Sequence, residues 1–508
     1  MSAPDPAPPL SPAGPAGPAG PRRDRREHER TPSRARAPAR AGAPPHRGPR
    51  QVEVLGTATR FAVEWAVALV LLQLVLLAGL IVAQAVPNAP IVDRLAQAVS
   101  DGDYGPSYVS DGMGGRADRF TECVELGYGV SSPDDPRSLW FRATGGPRLE
   151  SCDAGATQVR ALAAGAQVLP PATYYRYWNG YALLTRPVLA TLGVPGVRMV
   201  SGALLAAAGI AAWAALRRRA GPAAACALVL PVAVSTNALA MPALAFTHAL
   251  ALAAIAAGVA LTAAATGSVR LRGWRGAAVG AGGAGALLAY TDLLTTPAMS
   301  WSLCAAAAGA VTWGAVTWGA DTWGADTWGA APRPRALRPV LLSVLAAGAA
   351  WPVAYGVTWA CRWLIAAAVQ GPGVFTAIRD KSAERLDGAS QVVDPSFGAP
   401  TAANVTRWLD TAPTAQPLLV AAAVVVVVSL VVAARRGGAE RLLLAAVLAA
   451  PALLVPAWYE VLSNHSQVHA FFTYRSVPAA VGIVVAACVL SARSGSSRRV
   501  VSPERSPM

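Results

Sequence analysis

Two carboxylates and a cysteine crowd the stretch GGRADRFTEC, where Asp118 and Glu122 stand four residues apart just ahead of Cys123. On a helix that spacing puts both acids on one face. Asp118 also suits the N-cap of a helix opening at Arg119, the plainer use of an aspartate before a helix-compatible run. The chemical use would be a working carboxylate held at a membrane surface.

A second group lies in PAWYEVLSNHSQVHAFFTYRS, residues 456–476. His465 and His469 are four apart and share a face if helical. That spacing permits a metal, but the H-E-x-x-H pattern needs Glu after His465 and Ser466 stands there. The pattern favours a polar site over zinc, and no cofactor is indicated. Arg475, beside Phe471, Phe472 and Tyr474, suits a phosphate contact; a helix-end arginine reaching for headgroups is the simpler alternative.

Other candidates come singly. In TYYRYWNGYALLTRP the residues Arg176, Asn179 and Arg186 sit among aromatics, as in an interfacial helix with rings at headgroup depth. Anchoring accounts for the tyrosines and less well for Asn179 and Arg186. Asp292 in YTDLLTTP is adequately explained as a cap at a helix end. Arg362 in WACRW lies between Trp359 and Trp363, where cation–π anchoring serves as well as ligand binding.

The elements that must position these residues are membrane helices. Of 508 residues 54% are hydrophobic and only 14% charged, well below the charge of an ordinary soluble chain. Mean hydropathy is +0.39. Ten apolar runs read as spans, near 61–86, 197–216, 222–240, 243–266, 276–291, 297–314, 339–360, 416–434, 442–457 and 477–492. The net charge of +15 is almost all arginine, with Lys381 the only lysine. It gathers in the N-terminal tail and between alternate spans, as topology signals do, and not in a nucleic-acid-binding patch.

With both termini cytoplasmic, every arginine-rich connection falls inside. The long polar segments fall outside: 87–196, 361–415 and 458–476. The fold expected is an all-α membrane protein of about ten transmembrane helices, with a long first extracytoplasmic loop carrying interfacial helices. Residues 1–55 form a Pro-, Ala- and Arg-rich tail expected to be disordered. Residues 56–492 form the membrane domain and 493–508 a cytoplasmic tail. The repeat VTWGAVTWGADTWGADTWGA, residues 311–330, has a five-residue period that builds no single helix or strand face. Cys123 and Cys152 are the only cysteines in the first outer loop. In an oxidising exterior a bridge between them is expected.

Taken together, DRFTE, YYRYWNGYALLTRP, YTDLLTTP, WACRW and NHSQVHAFFTYR, spread over residues 118–475, resemble the GT-C superfamily of polytopic membrane glycosyltransferases. More narrowly, they look like the recurring pattern of a group of bacterial multi-pass proteins. The resemblance implies transfer of a sugar from a polyprenyl-phosphate donor to an envelope glycan or protein acceptor outside the membrane. It implies a first-loop carboxylate as general base, Asp118 first and Glu122 second. It gives Arg186, Arg475 and Arg362 to the donor phosphate, and lets His465 and His469 hydrogen-bond or protonate the leaving phosphate. This chain departs from the family pattern of adjacent acidic residues early in that loop: its carboxylate comes later, with Arg119 beside it. A multi-pass transporter or flippase of lipid-linked precursors is the alternative, and a non-catalytic membrane scaffold a third.

Overall fold

The computed structural model describes residues 49–132, 134–170, 172–271, 273–322, 334–386 and 393–493. The chain divides into two units, Met1–Arg60 and Phe61–Met508. The expected tail lies outside the described residues up to 48, and 49–55 open a helix where an irregular chain was expected. The repeat is helical through Thr322, and its remainder lies outside the described residues, as does 494–508.

Helix α1 (Pro49–Gln84) is apolar along most of its length and stops three residues short of Pro87, which cannot continue the ladder. The polar stretch that follows is folded. It runs α2 (Asn88–Ser100), β1 (Tyr108–Ser110), β2 (Arg116–Asp118), α3 (Arg119–Leu126), α4 (Leu139–Gly145), β3 (Pro147–Arg148), α5 (Asp153–Ala163) and β4 (Ala172–Thr173). The short strands pair antiparallel as β1 with β2 and β3 with β4, an addition to the all-helical expectation. Asp111 makes the first hairpin by accepting the amides of Met113 at 2.9 Å and Gly115 at 2.7 Å.

Helix α6 (Ala182–Ala220) is broken at Gly193, whose φ of 69° sets a short first part apart from a longer second one. Then come α7 (Pro222–Val234), α8 (Met241–Leu244), α9 (Phe246–Thr266), α10 (Trp274–Thr291) and α11 (Pro297–Thr322). They are followed by α12 (Pro334–Gln370), α13 (Gly373–Leu386), α14 (Ala399–Thr411) and α15 (Ala415–Ala449). The chain closes with α16 (Leu454–Val461), α17 (Ser463–Val468), α18 (Ala470–Thr473) and α19 (Ser476–Ala492).

Among the described residues seven helices are long and apolar enough to cross a membrane, or eight if the bent pair of α7 with 238–244 is one crossing. The count falls below ten for two reasons. Helix α15 carries two apolar runs in one element, with non-helical backbone at Gly437 and Gly438 between them. Helix α10 is short and rich in glycine and alanine. Those small residues let it lie against its neighbours: a Cβ on Gly280 would collide with the backbone of α9, and one on Gly285 with that of α12. The central core is built mostly of alanine from α9, α10 and α11 with Trp351 and Tyr355 of α12.

Among the described residues the long polar segments collect at one end of these helices, away from the arginine-rich connections. There the folded stretch after α1, the 292–296 turn, α13, α14, α17 and α18 pack on one another. The hydrogen bonds from Trp363 Nε1 to the Arg176 carbonyl (3.1 Å) and from Gly180 N to Tyr290 O (2.8 Å) tie the first of these segments to α12 and α10. Gly180 lies flat on the Tyr290 ring, with no room for a Cβ.

Candidate functional site

Asp118 ends β2 and caps α3. Its carboxylate accepts from Thr121 N at 3.2 Å and Thr121 Oγ1 at 3.2 Å, and pairs with His248 Nε2 at 3.4 Å. On the far side of that ring Arg475 Nη1 meets His248 Nδ1 at 2.8 Å. A guanidinium only donates, so Nδ1 is the acceptor and Nε2 carries the proton toward Asp118. Arg475 also donates to Asn237 Oδ1 at 2.9 Å. This chain of Asp118, His248, Arg475 and Asn237 is buried throughout. Burial works to raise the Asp118 carboxyl, but hydrogen bonds from His248 and Thr121 prevail and hold it below the ordinary aspartate value.

Glu122 is 1% exposed, bonded to Arg198 Nη2 at 2.9 Å and to the Phe246 amide at 3.0 Å. It is a buried tie between α3, α6 and the start of α9. Cys123 and Cys152 are disulfide-bonded, which fastens α3 to the start of α5. Asn179, at φ 58°, shapes a turn by donating to the Tyr174 and Tyr177 carbonyls and accepting from Tyr181.

Two arginines are turned onto backbone carbonyls of the protein, Arg186 through every guanidinium nitrogen and Arg362 with its buried Nη2 left without a partner. Arg186 donates to the carbonyls of Ala83 (2.9 Å), Val86 (3.0 Å) and Tyr128 (2.9 Å), and to Asn88 Oδ1 (2.8 Å). It thereby serves the bare carbonyl end of α1, where a cation also suits the helix dipole. Arg362 is 0% exposed and donates to the carbonyls of Tyr177 and Ala143.

The histidine pair works on an arginine that sequence reasoning missed. Arg385, in the last turn of α13, directs Nη1 at His465 Nδ1 (2.8 Å) and at His469 Nε2 (2.7 Å). Both rings must accept, so both are neutral, and His465 Nε2–H donates to the Leu294 carbonyl at 2.8 Å. The proton of His469 is then on Nδ1, which is buried without a partner. Burial first, then the neighbouring charge of Arg385, pushes His469 down to about 4 and, with His469 itself, His465 well below its usual value. Arg385 lies in a charged run, RDKSAER, that reads as a solvated helix face and gave no sequence signal.

Beside this cluster opens a cavity of about 260 Å³. Tyr177, Tyr355, Trp359, Trp363 and Trp458 wall it, and Arg176, Lys381 and Arg385 bring three cations to it. Two buried wall donors, Tyr355 Oη and Trp359 Nε1, have no partner in the protein. Arg176 is thus the one arginine expected for substrate that does line the cavity. Asp292 bonds Thr295 Oγ1 (2.5 Å) and N (2.8 Å) at the head of the Leu294 turn, close enough for its charge to act on Tyr177 and Tyr355. Burial pushes Asp292 up to about 6, against the pull of its Thr295 bonds. Glu125, 3% exposed, is raised well above the ordinary value by burial and then by Glu122 and Asp292.

The two halves adjoin. Phe472 stacks on His469 at 5.1 Å and edges onto His248 at 5.1 Å, so one ring separates the Arg385 cluster from the Asp118 chain. Among the described residues no three His, Cys, Asp or Glu side chains are grouped to hold a metal. No family model, curated protein or solved structure matches this chain.

Proposed function

We propose that this protein is a cell-envelope glycosyltransferase that takes its sugar from a polyprenyl-phosphate donor. One observation carries the reading: the cavity is walled by aromatic rings, three cations line it (Arg176, Lys381 and Arg385), no carboxylate among the described residues does, and Tyr355 Oη and Trp359 Nε1 face it without a protein partner. Apolar walls suit an isoprenoid tail, and convergent donors suit the phosphate that joins it to a sugar. In this reading ten helices cross the membrane, α15 and α16 supplying two crossings around the Gly437–Gly438 break and α10 another. Both termini are cytoplasmic, and the polar end that holds the cavity faces outward.

The phosphate role moves from Arg186, Arg362 and Arg475, all engaged with protein atoms, to Arg385, Lys381 and Arg176. The base is a carboxylate at the polar end. The resemblance points to Asp118, but three hydrogen bonds depress its basicity. Asp292, held near 6 and adjoining the cavity walls, is the better match to a base working near neutral pH. A base there would take the acceptor hydroxyl proton while the cations hold the departing lipid phosphate.

The test is purified full-length protein in nanodiscs with short-chain polyprenyl-phosphoryl sugars and radiolabelled transfer to envelope glycan. Transfer, lost in Arg385→Ala, is the expected result. Movement of a fluorescent lipid-linked precursor between leaflets without transfer would replace the reading with a flippase.

A further inference from the structure

Helix α13 supplies one whole side of the cavity: Ile378, Lys381, Ser382, Arg385 and Leu386. Yet it is weakly built into the molecule. Only Val374 and Ile378 are buried, and its other charges pair along its own exposed surface, Arg379 with Asp380 (3.0 Å) and Lys381 with Glu384 (2.6 Å). It joins α12 through Gly371–Pro372–Gly373, where Gly371 has φ 87° and a Cβ on either glycine would meet nothing within 4 Å. At the other end it is held by Arg385 on the two histidines.

We propose that α13 is a lid on the cavity, hinged at Gly371–Gly373, and that His465 and His469 are positioning residues whose neutral rings latch it through Arg385. The latch is acid-labile, because a protonated imidazole has no lone pair for the guanidinium and repels it. It stands without a ligand; only its coupling to substrate rests on the reading of the cavity as a lipid-phosphate site.

The surroundings agree with the direction. Arg385 faces both rings from α13, and Arg116 of β2 and His248 of α9 also work against protonating His469, while Asp118 alone favours it. Glu460 of α16 is engaged by Gly398 N and Thr401, and Asp394 by Ser396. Glu384 is paired with Lys381. Arg407 of α14 adds another cation beside the Asp111 hairpin.

Latched, His469 sits at about 4; opening removes Arg385 and part of the burial, so it rises toward the ordinary value of 6.5, with Arg116 and His248 still holding it below that limit. A group depressed in the closed state favours the open state as pH falls below 6.5. Over pH 7.5 to 5.0, His469 alone shifts the equilibrium toward open by at most about 30-fold.

Hydrogen exchange on the full-length protein in nanodiscs reads this directly. After correction for the intrinsic rate, protection in the last two turns of α13 should fall several-fold, up to about 30-fold, between pH 7.5 and 5.0. A His465→Gln/His469→Gln double variant keeps acceptors that do not titrate, and its profile should be flat. Arg385→Gln should leave α13 loose at both pH values. A pH-invariant α13 in the wild type overturns the latch, as does full protection in Arg385→Gln. A farnesyl methyl phosphodiester, whose single charge is constant over this range, is the ligand probe. Added protection at pH 7.5 supports the coupling. An acid-labile α13 that ignores the phosphodiester upholds the latch and removes the lipid-phosphate reading.

Discussion

Arg186 separates structural arginines from ligand-binding ones. Replacing it with alanine strands three backbone carbonyls, those of Ala83, Val86 and Tyr128, together with Asn88 Oδ1. Each buried acceptor left without a donor costs about 1–3 kcal/mol. Ala83 keeps a weak bond from Val86 N at 3.4 Å, and water can enter the hole left by the side chain, which discounts the total. About 4 kcal/mol is the resulting figure. For a chain of this size, with an unfolding entropy of about 1 kcal/mol/K, that is a fall of about 4 °C in apparent melting temperature. The assay is thermal unfolding of detergent-purified protein followed by fluorescence-detected size exclusion, beside Arg385→Ala in the same detergent. Arg385→Ala strands two imidazole acceptors beside an open cavity against the four acceptors stranded in Arg186→Ala, so it should melt less far below the wild type and lose phosphodiester binding, whereas Arg186→Ala should unfold earliest. If Arg186→Ala melted like the wild type and lost only ligand affinity, the cap on α1 would be dispensable and Arg186 would return to the phosphate site.

Three further outcomes follow from the site. Asn keeps the capping oxygen but turns an amide N–H toward His248 Nε2–H, so Asp118→Asn should insert, melt somewhat earlier and keep most transfer activity, while Asp292→Asn should lose at least a hundredfold; the reverse ranking would restore Asp118 as base. With Asp292 near 6, wild-type transfer should rise about tenfold per pH unit below 6 and level off above it, read as initial rates on the phosphodiester-linked donor. The bridge between Cys123 and Cys152 spans 29 residues, for which the loop-entropy account gives about 3–4 kcal/mol. Reduction should therefore lower the melting temperature of the wild type and leave a Cys123→Ala/Cys152→Ala variant unmoved, a comparison that two free thiols in a non-reducing mass map would already decide against.

Local chemistry along the chain was legible without coordinates. Apolar runs near twenty residues announce helices, because an unpaired backbone cannot remain in hydrocarbon. Asp118 before RFTE announces a cap, and it is one. The gathering of polar segments at one end follows from the same alternation of apolar and arginine-rich runs. Contacts between those segments follow no such local rule. Whether Arg186 or Arg385 meets a cavity depends on which acceptors lie within 3 Å of each: carbonyls 58 and 103 positions away for Arg186, imidazoles 80 and 84 positions away for Arg385. His248 sits unmarked in an alanine-rich helix, and only the packing of α9 against β2 and α19 joins it to Asp118 and Arg475. His465 and His469 read from spacing as a pair facing substrate. The fold turns both toward a guanidinium from α13, because a buried neutral imidazole needs a donor and Arg385 is the one that reaches it.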